Sequence, residues 1–219
     1  MEERPIVASS LKKMTLITGG ARSGKSQLAE KLARAAHLPV VYLATMGRIE
    51  GDSEIDSRIA SHISRRPKEW TTIEEPLLVT RCVDDLIPPA VVSIKAKSFE
   101  SQFKAICLID CLSLFVSNLL LQGTYTFDSE VVRQHLEERV LSEIDELLKA
   151  IKRRQDLAFI VVTNEVGLSV VPENPLARSF RDMLGLSNQR FAHTSDEVHI
   201  CFSGLSLRLK PQKDSISIK

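Results

Sequence analysis

Eight consecutive residues, Gly19-Gly20-Ala21-Arg22-Ser23-Gly24-Lys25-Ser26, most constrain what this chain can fold into. They fit G-x-x-x-x-G-K-[ST], with Gly19, Gly24, Lys25 and Ser26 at the fixed places. The apolar run Met14 to Thr18 before them predicts a short buried strand. Lys25 to His37 after them predicts a helix, with Leu28, Leu32 and Ala35/Ala36 on one face. Glycines let a backbone turn tightly and bring its N–H groups up to phosphate oxygens. A helix N-terminus adds unpaired N–H groups and the positive end of its dipole. In this reading Lys25 reaches the β- and γ-phosphates and Ser26 holds Mg²⁺. The alternative is a glycine-rich turn that matches by chance. Nucleotide binding follows from the loop; the reaction does not.

The rest of the chain alternates strand and helix patterns. Pro39 to Thr45 predicts a second strand, and Asp52 to Arg66 a helix with Ile55, Ile59 and Ile63 every four residues and a Ser53/Asp56 start signal. On that helix Arg58 and His62 stand one turn apart. Trp70 to Glu74 predicts a strand and Pro76 to Ile87 a short helix. Pro88 to Gln102, with its Pro-Pro pair and no period, reads as an exposed insertion. Ala105 to Asp110 is an apolar run ending in a carboxylate, the pattern of a buried parallel strand. An acid there is the expected Mg²⁺ partner in a phosphate-loop protein, and a helix N-cap is the other reading. Leu112 to Gln122 and Ser129 to Gln155 predict helices, the second with a stripe from Val132 to Ile151. Leu157 to Thr163 predicts a central strand, with Asn164 and Glu165 at the edge where open α/β sheets bind ligands. Glu197 to Phe202 and Leu205 to Lys210 predict a closing hairpin. Together these predict a three-layer α/β fold of the P-loop NTPase (RecA-like) kind, with a mostly parallel sheet and a C-terminal edge hairpin. The expected organisation is a loose extension over 1–13, one domain over 14–210 with an insertion at 88–102, and a tail over 211–219.

Composition narrows the function. The charges nearly cancel, 29 basic against 28 acidic residues, which argues against a nucleic-acid-coating or membrane-surface protein. Four scattered cysteines, Cys82, Cys107, Cys111 and Cys201, lack C-x-x-C spacing and read as reduced thiols, pointing to the cytoplasm. No run approaches the ~18 apolar residues of a membrane span. The opening MEERPIVASSLKK has no apolar h-region of a secretory signal.

Four segments carry a closer likeness: TLITGGARSGKSQLAE, RIASHISRRPKEWTTIEEP, LIDCLSLFVSNLL and VTNEVGLSVVPENPLARSFRDMLGLSNQRFAHTSDEVHICFSG. With them the chain resembles, over roughly residues 14 to 210, the bifunctional adenosylcobinamide kinase/adenosylcobinamide-phosphate guanylyltransferase family of cobalamin synthesis. The resemblance implies two reactions at one site. The aminopropanol hydroxyl of adenosylcobinamide takes the γ-phosphoryl group of ATP or GTP. The resulting phosphate is then joined to GMP from GTP through a guanylylated histidine, releasing pyrophosphate. The position that matches the nucleophile is His62, with Lys25 as the other catalytic residue. By the residues alone, His62 reads first as a packing or surface histidine. An imidazole is nevertheless a competent nucleophile near neutral pH, and its phosphoramidate divides one hard displacement into two. Arg58, one turn away, is placed to neutralise phosphate charge.

The resemblance further implies nucleotide contacts at Gly19, Gly20, Ala21, Arg22, Ser23, Gly24, Lys25 and Ser26, at Ala44, Thr45 and Met46, at Ile63, Ser64, Arg65 and Arg66, and at Glu74 and Asp110. Ser26 and Asp110 would be the metal ligands. Asn164, Glu165, Arg178, Arg181 and Asp182 shape the corrinoid site or bind phosphate, or else form salt bridges between helices. A homotrimer is expected on the same ground, and the balanced charge predicts no nucleic-acid partner. The sequence departs from the family at Ser169, where glycine is frequent, at Phe115, where tryptophan is frequent, and in the 88–102 insertion. A guanylyltransferase without the kinase step and a non-catalytic nucleotide-dependent regulatory module are the alternatives.

Overall fold

The computed structural model of the protein describes residues 11–47, 66–89, 101–122 and 130–211. Seven strands form one sheet: β1 (Met14–Gly19), β2 (Val40–Ala44), β3 (Thr71–Glu74), β4 (Ala105–Asp110), β5 (Leu157–Val162), β6 (Glu197–Phe202) and β7 (Leu205–Lys210). Their spatial order is β3-β2-β4-β5-β1-β6-β7. Every pairing is parallel except that of β6 with β7, an antiparallel edge hairpin. The helices described are α1 (Lys25–Ala35), α2 (Val79–Asp85), α3 (Leu112–Leu121), α4 (Glu130–Arg153) and α5 (Pro175–Thr194).

The strand sequences dictate where each strand lies. β5, Leu-Ala-Phe-Ile-Val-Val, is buried at every position, because helices cover both faces of a central parallel strand. Its even residues Ala158, Ile160 and Val162 meet Ile17, Ile106 and Leu108 under Ala29 and Ala33 of α1. Its odd residues Leu157, Phe159 and Val161 meet Leu16, Leu43 and Ile109 under α2 to α5. By contrast β7 is exposed along nearly its whole length.

Sequence patterning left Pro175–Thr194 without an element, and it is a helix of 20 residues. Its start signals are explicit: the Asn174 side chain accepts from the Ala177 N–H at 3.2 Å, and Pro175 occupies the first turn. The stripe is harder to read, because Ser179, Ser187 and Asn188 are buried on it alongside Met183, Leu184 and Phe191.

The N-terminal boundary also differs from expectation. Residues 11–13 are tied down rather than loose. Leu11 packs against the α1-side core, and the Lys13 carbonyl accepts from the Phe159 N–H at 2.8 Å. The Lys13 ammonium donates to the carbonyls of Arg154 and Leu157 and lies over the Phe103 and Phe159 rings. Cys107, Cys111 and Cys201 are buried and Cys82 half-buried, all of them free thiols. No helix among the described residues is long and apolar enough to cross a membrane. The helix expected over 52–66 lies outside the described residues except for Arg66, as do most of the insertion at 88–102 and residues 1–10 and 212–219.

Phe159 is 0% exposed at the centre of the sheet. Phe159→Ala is expected to lower the unfolding free energy by roughly 3–5 kcal/mol, read as a lowered urea midpoint with an unchanged slope.

Candidate functional site

The parallel register brings the C-terminal ends of several strands to one edge. Ala44 lies opposite both Glu74 and Asp110, and Asp110 opposite Val162. With the loop that follows β1, these ends surround a cavity of about 550 Å³. Arg22, Ser23, Gly24, Lys25, Ser26 and Gln27 line it from the loop and the head of α1. Tyr42, Ala44, Met46, Arg66, Glu74, Asp110, Cys111, Leu114, Val162 and Asn164 line the remainder.

The loop's conformation requires its glycines. Gly24 caps α1 with φ 99°, in the left-handed region that side chains rarely adopt. A Cβ at Gly19 would lie 2.2 Å from the Cys201 carbonyl oxygen. Distant segments hold the loop at both ends. Glu165 N–H donates to the Gly19 carbonyl at 3.0 Å, and Gly204 N–H, in the β6–β7 turn, donates to the Ser23 carbonyl at 3.1 Å. The Lys25 ammonium is buried and donates to the Gly20 carbonyl at 2.5 Å and to Ser23 Oγ at 3.5 Å. Burial lowers its pKa below the usual lysine range, and the nearby Asp110 charge opposes that shift only in part. A phosphate brought to this position supplies the counter-charge that the protein provides only in part.

Asp110 is not the N-cap of α3; Cys111 occupies that position, with no side-chain cap. The Asp110 carboxylate instead accepts from the Tyr42 hydroxyl at 2.5 Å. Burial, and next the Asp110 charge, push the Tyr42 phenol upward, so it remains a donor. Burial likewise pushes the Cys111 thiol up to about 11, and its Sγ is 2.9 Å from Ser113 Oγ, so it is neutral at physiological pH. Ser26 and Asp110 present hard oxygen donors to the same cavity, which suits Mg²⁺. Among the described residues no group of three or more His, Cys, Asp or Glu could hold a metal.

Thr45 has a different place from the other predicted contacts. It is 0% exposed, and its hydroxyl donates to the Cys111 carbonyl at 2.7 Å and accepts from the Cys111 N–H at 2.8 Å. Its carbonyl accepts from the Asn118 amide at 2.8 Å, which also donates to Pro76 O at 3.0 Å. Asn188 performs a similar role across α5. It accepts from Thr163 Oγ1 at 2.7 Å and donates to the Asn164 carbonyl at 2.9 Å. Sequence reasoning missed Tyr42 and Asn188 and gave Asn118 no role. The available signal was polar groups set in apolar stripes, which persist there only when hydrogen-bonded. Arg178 donates to the carbonyls of Pro172 and Glu173, and Arg181 pairs with Asp182 at 3.3 Å. None of these charged side chains lines the cavity, whereas Asn164 does. His62, Arg58, Ile63, Ser64 and Arg65 lie outside the described residues. Arg66, which ends that segment, is at the cavity, its guanidinium carbon 3.6 Å from the Tyr42 ring centroid.

Similarity to known proteins covers almost the whole chain. Residues 15–209 match the cobinamide kinase / cobinamide phosphate guanyltransferase family. The bifunctional adenosylcobalamin biosynthesis protein CobU of Salmonella typhimurium is 38% identical over 90% of this chain and 99% of its own length. CobU of Escherichia coli is 36% identical over 90% and 99%, and CobP of Pseudomonas aeruginosa is 37% identical over 89% and 96%. Solved structures overlay more loosely. RadB recombinase is 15% identical, covering 87% of this chain and 74% of that one at a TM-score of 0.43. A Pyrococcus horikoshii protein is 9% identical, covering 94% and 90% at 0.48. On the extent of the sequence match, with its phosphate loop at the mouth of one cavity, this chain belongs to the cobinamide kinase / cobinamide phosphate guanyltransferase family.

Proposed function

We propose that this protein phosphorylates adenosylcobinamide and then guanylylates the product. In the first reaction the aminopropanol oxygen bonds to the γ-phosphorus of ATP or GTP. The bond from that phosphorus to the β-phosphate oxygen breaks, and the hydroxyl proton is released. In the second, a nitrogen of His62 bonds to the α-phosphorus of GTP and pyrophosphate leaves. The phosphate oxygen of adenosylcobinamide phosphate then displaces the histidine from that phosphorus, giving adenosylcobinamide-GDP.

One observation carries this reading in a chain of this family. The phosphate loop and Arg66, four residues after His62, line the same cavity. A triphosphate seated on the loop would thus lie near the end of the segment that bears the proposed nucleophile. Lys25 supplies positive charge to the phosphates, and the loop and α1 N–H groups orient them. Asp110 and Ser26 would hold Mg²⁺, which when bound neutralises charge developing on the phosphate oxygens. Arg66 and Glu74 bound the far side of the cavity, suited to phosphate and to ribose or base donors respectively.

Two experiments test the assignment. Wild-type protein incubated with α-³²P-labelled GTP is expected to retain an acid-labile, base-stable label after denaturation, and His62→Ala to retain none. Label that persists in His62→Ala would move the nucleophile elsewhere. Lys25→Ala is expected to lower both half-reactions by about 100-fold or more, measured as phosphorylated and guanylylated corrinoid. Normal guanylylation in that variant would show that GTP is not held by the loop.

A further inference from the structure

Tyr42 is 1% exposed in a strand whose other residues are aliphatic. A phenylalanine would fill nearly the same volume, so the hydroxyl is the informative atom. It donates to Asp110 Oδ2 at 2.5 Å, across the β2–β4 ladder at the end where the cavity opens. Its ring is in turn covered by the Arg66 guanidinium, 3.6 Å from the centroid, and stacks with Trp70 at 6.5 Å. One side chain therefore touches both the carboxylate at the end of β4 and the arginine that closes the segment bearing His62.

We propose that Tyr42 is a positioning residue: it fixes the plane of the Asp110 carboxylate for a divalent cation entering with the nucleotide, and links that carboxylate to Arg66. This rests on the nucleotide and metal assignment given above. The carboxylate is attached through a single-bonded stem and would otherwise turn freely at the strand end. A hydrogen bond to one oxygen sets its orientation and leaves the second oxygen for the cation. Removing a partner of this kind, one bond behind a metal ligand, typically costs about 10–100-fold in metal affinity or activity. The cation–π contact makes the same ring a platform for Arg66, so the acid and the arginine are held at a fixed spacing at the cavity.

The test separates metal coupling from simple support. Tyr42→Phe keeps the ring, the volume and the ring face that Arg66 covers. Binding of a fluorescent N-methylanthraniloyl-GTP is followed by anisotropy while Mg²⁺ is raised, in wild type, Tyr42→Phe, Asp110→Asn and the double variant. In Tyr42→Phe the Mg²⁺ midpoint is expected to rise about tenfold, while binding in EDTA stays within about twofold of wild type. The double variant is expected to be no worse than Asp110→Asn. An unchanged midpoint, or effects that simply add in the double variant, would overturn the proposal. A second measurement needs no variant to hold its fold. The chain has 2 tyrosines, Tyr42 and Tyr125, so fluorotyrosine-labelled wild type gives a readable ¹⁹F spectrum. The Tyr42 resonance is expected to move on adding GTP with Mg²⁺ and not on adding GTP in EDTA; a resonance indifferent to the metal would overturn the link. Wild-type protein that binds no GTP analogue at all would overturn the nucleotide assignment too, whereas tight binding with a Mg²⁺-indifferent Tyr42 removes only the positioning role.

Discussion

A buried ammonium group organises this molecule. Lys25 is enclosed at the head of α1, and its nearest acceptors are a backbone carbonyl and a hydroxyl rather than a carboxylate. Enclosing a cation so incompletely paired is unfavourable, and folding tolerates it because the central strands β1, β2, β4 and β5 are so thoroughly buried. The loop must then be rigid, or the lysine would swing out to water. The glycine conformations, the Gly19 contact against β6 and the hydrogen bonds from Glu165 and Gly204 supply that rigidity. The site is thus prepared for an anion by the same features that leave the Lys25 charge only partly compensated.

A second layer sits behind the cavity and is made of neutral groups. Thr45, Asn118, Thr163 and Asn188 tie the strand ends to α3 and α5 through hydrogen bonds of 2.7 to 2.9 Å. Amides and hydroxyls suit this work better than ion pairs. They satisfy backbone carbonyls at the sheet edge without placing further charge beside Lys25 and Asp110. The charged residues of the segment after β5 are engaged locally, as in Arg178 clamping the Pro172–Glu173 carbonyls.

Much of this was readable in the chain. The strands announced themselves because buried parallel strands are uninterrupted apolar runs, and β4 and β5 were such runs. The loop was legible because phosphate binding demands glycine and lysine at fixed spacing. Helix α5 was not, because serine and asparagine interrupt its apolar stripe. Only its Asn-Pro start was a clear signal. Tyr42 was hidden for a different reason. Within Val-Val-Tyr-Leu-Ala an aromatic looks like core, and its core burial is real. Only the register that sets Ala44 beside Asp110 shows that its hydroxyl has an acid to meet. Thr45 entered as a nucleotide contact only through the family resemblance; its side chain closes the turn before α3, which no pattern in the chain announces.

The β6–β7 turn gives the edge hairpin an influence out of proportion to its place at the rim. Gly204 grips the Ser23 carbonyl, while the outer strand presents Leu205 and Leu207 to water. A substitution at Gly204 would therefore act on the phosphate loop, far away along the chain, through a single backbone hydrogen bond.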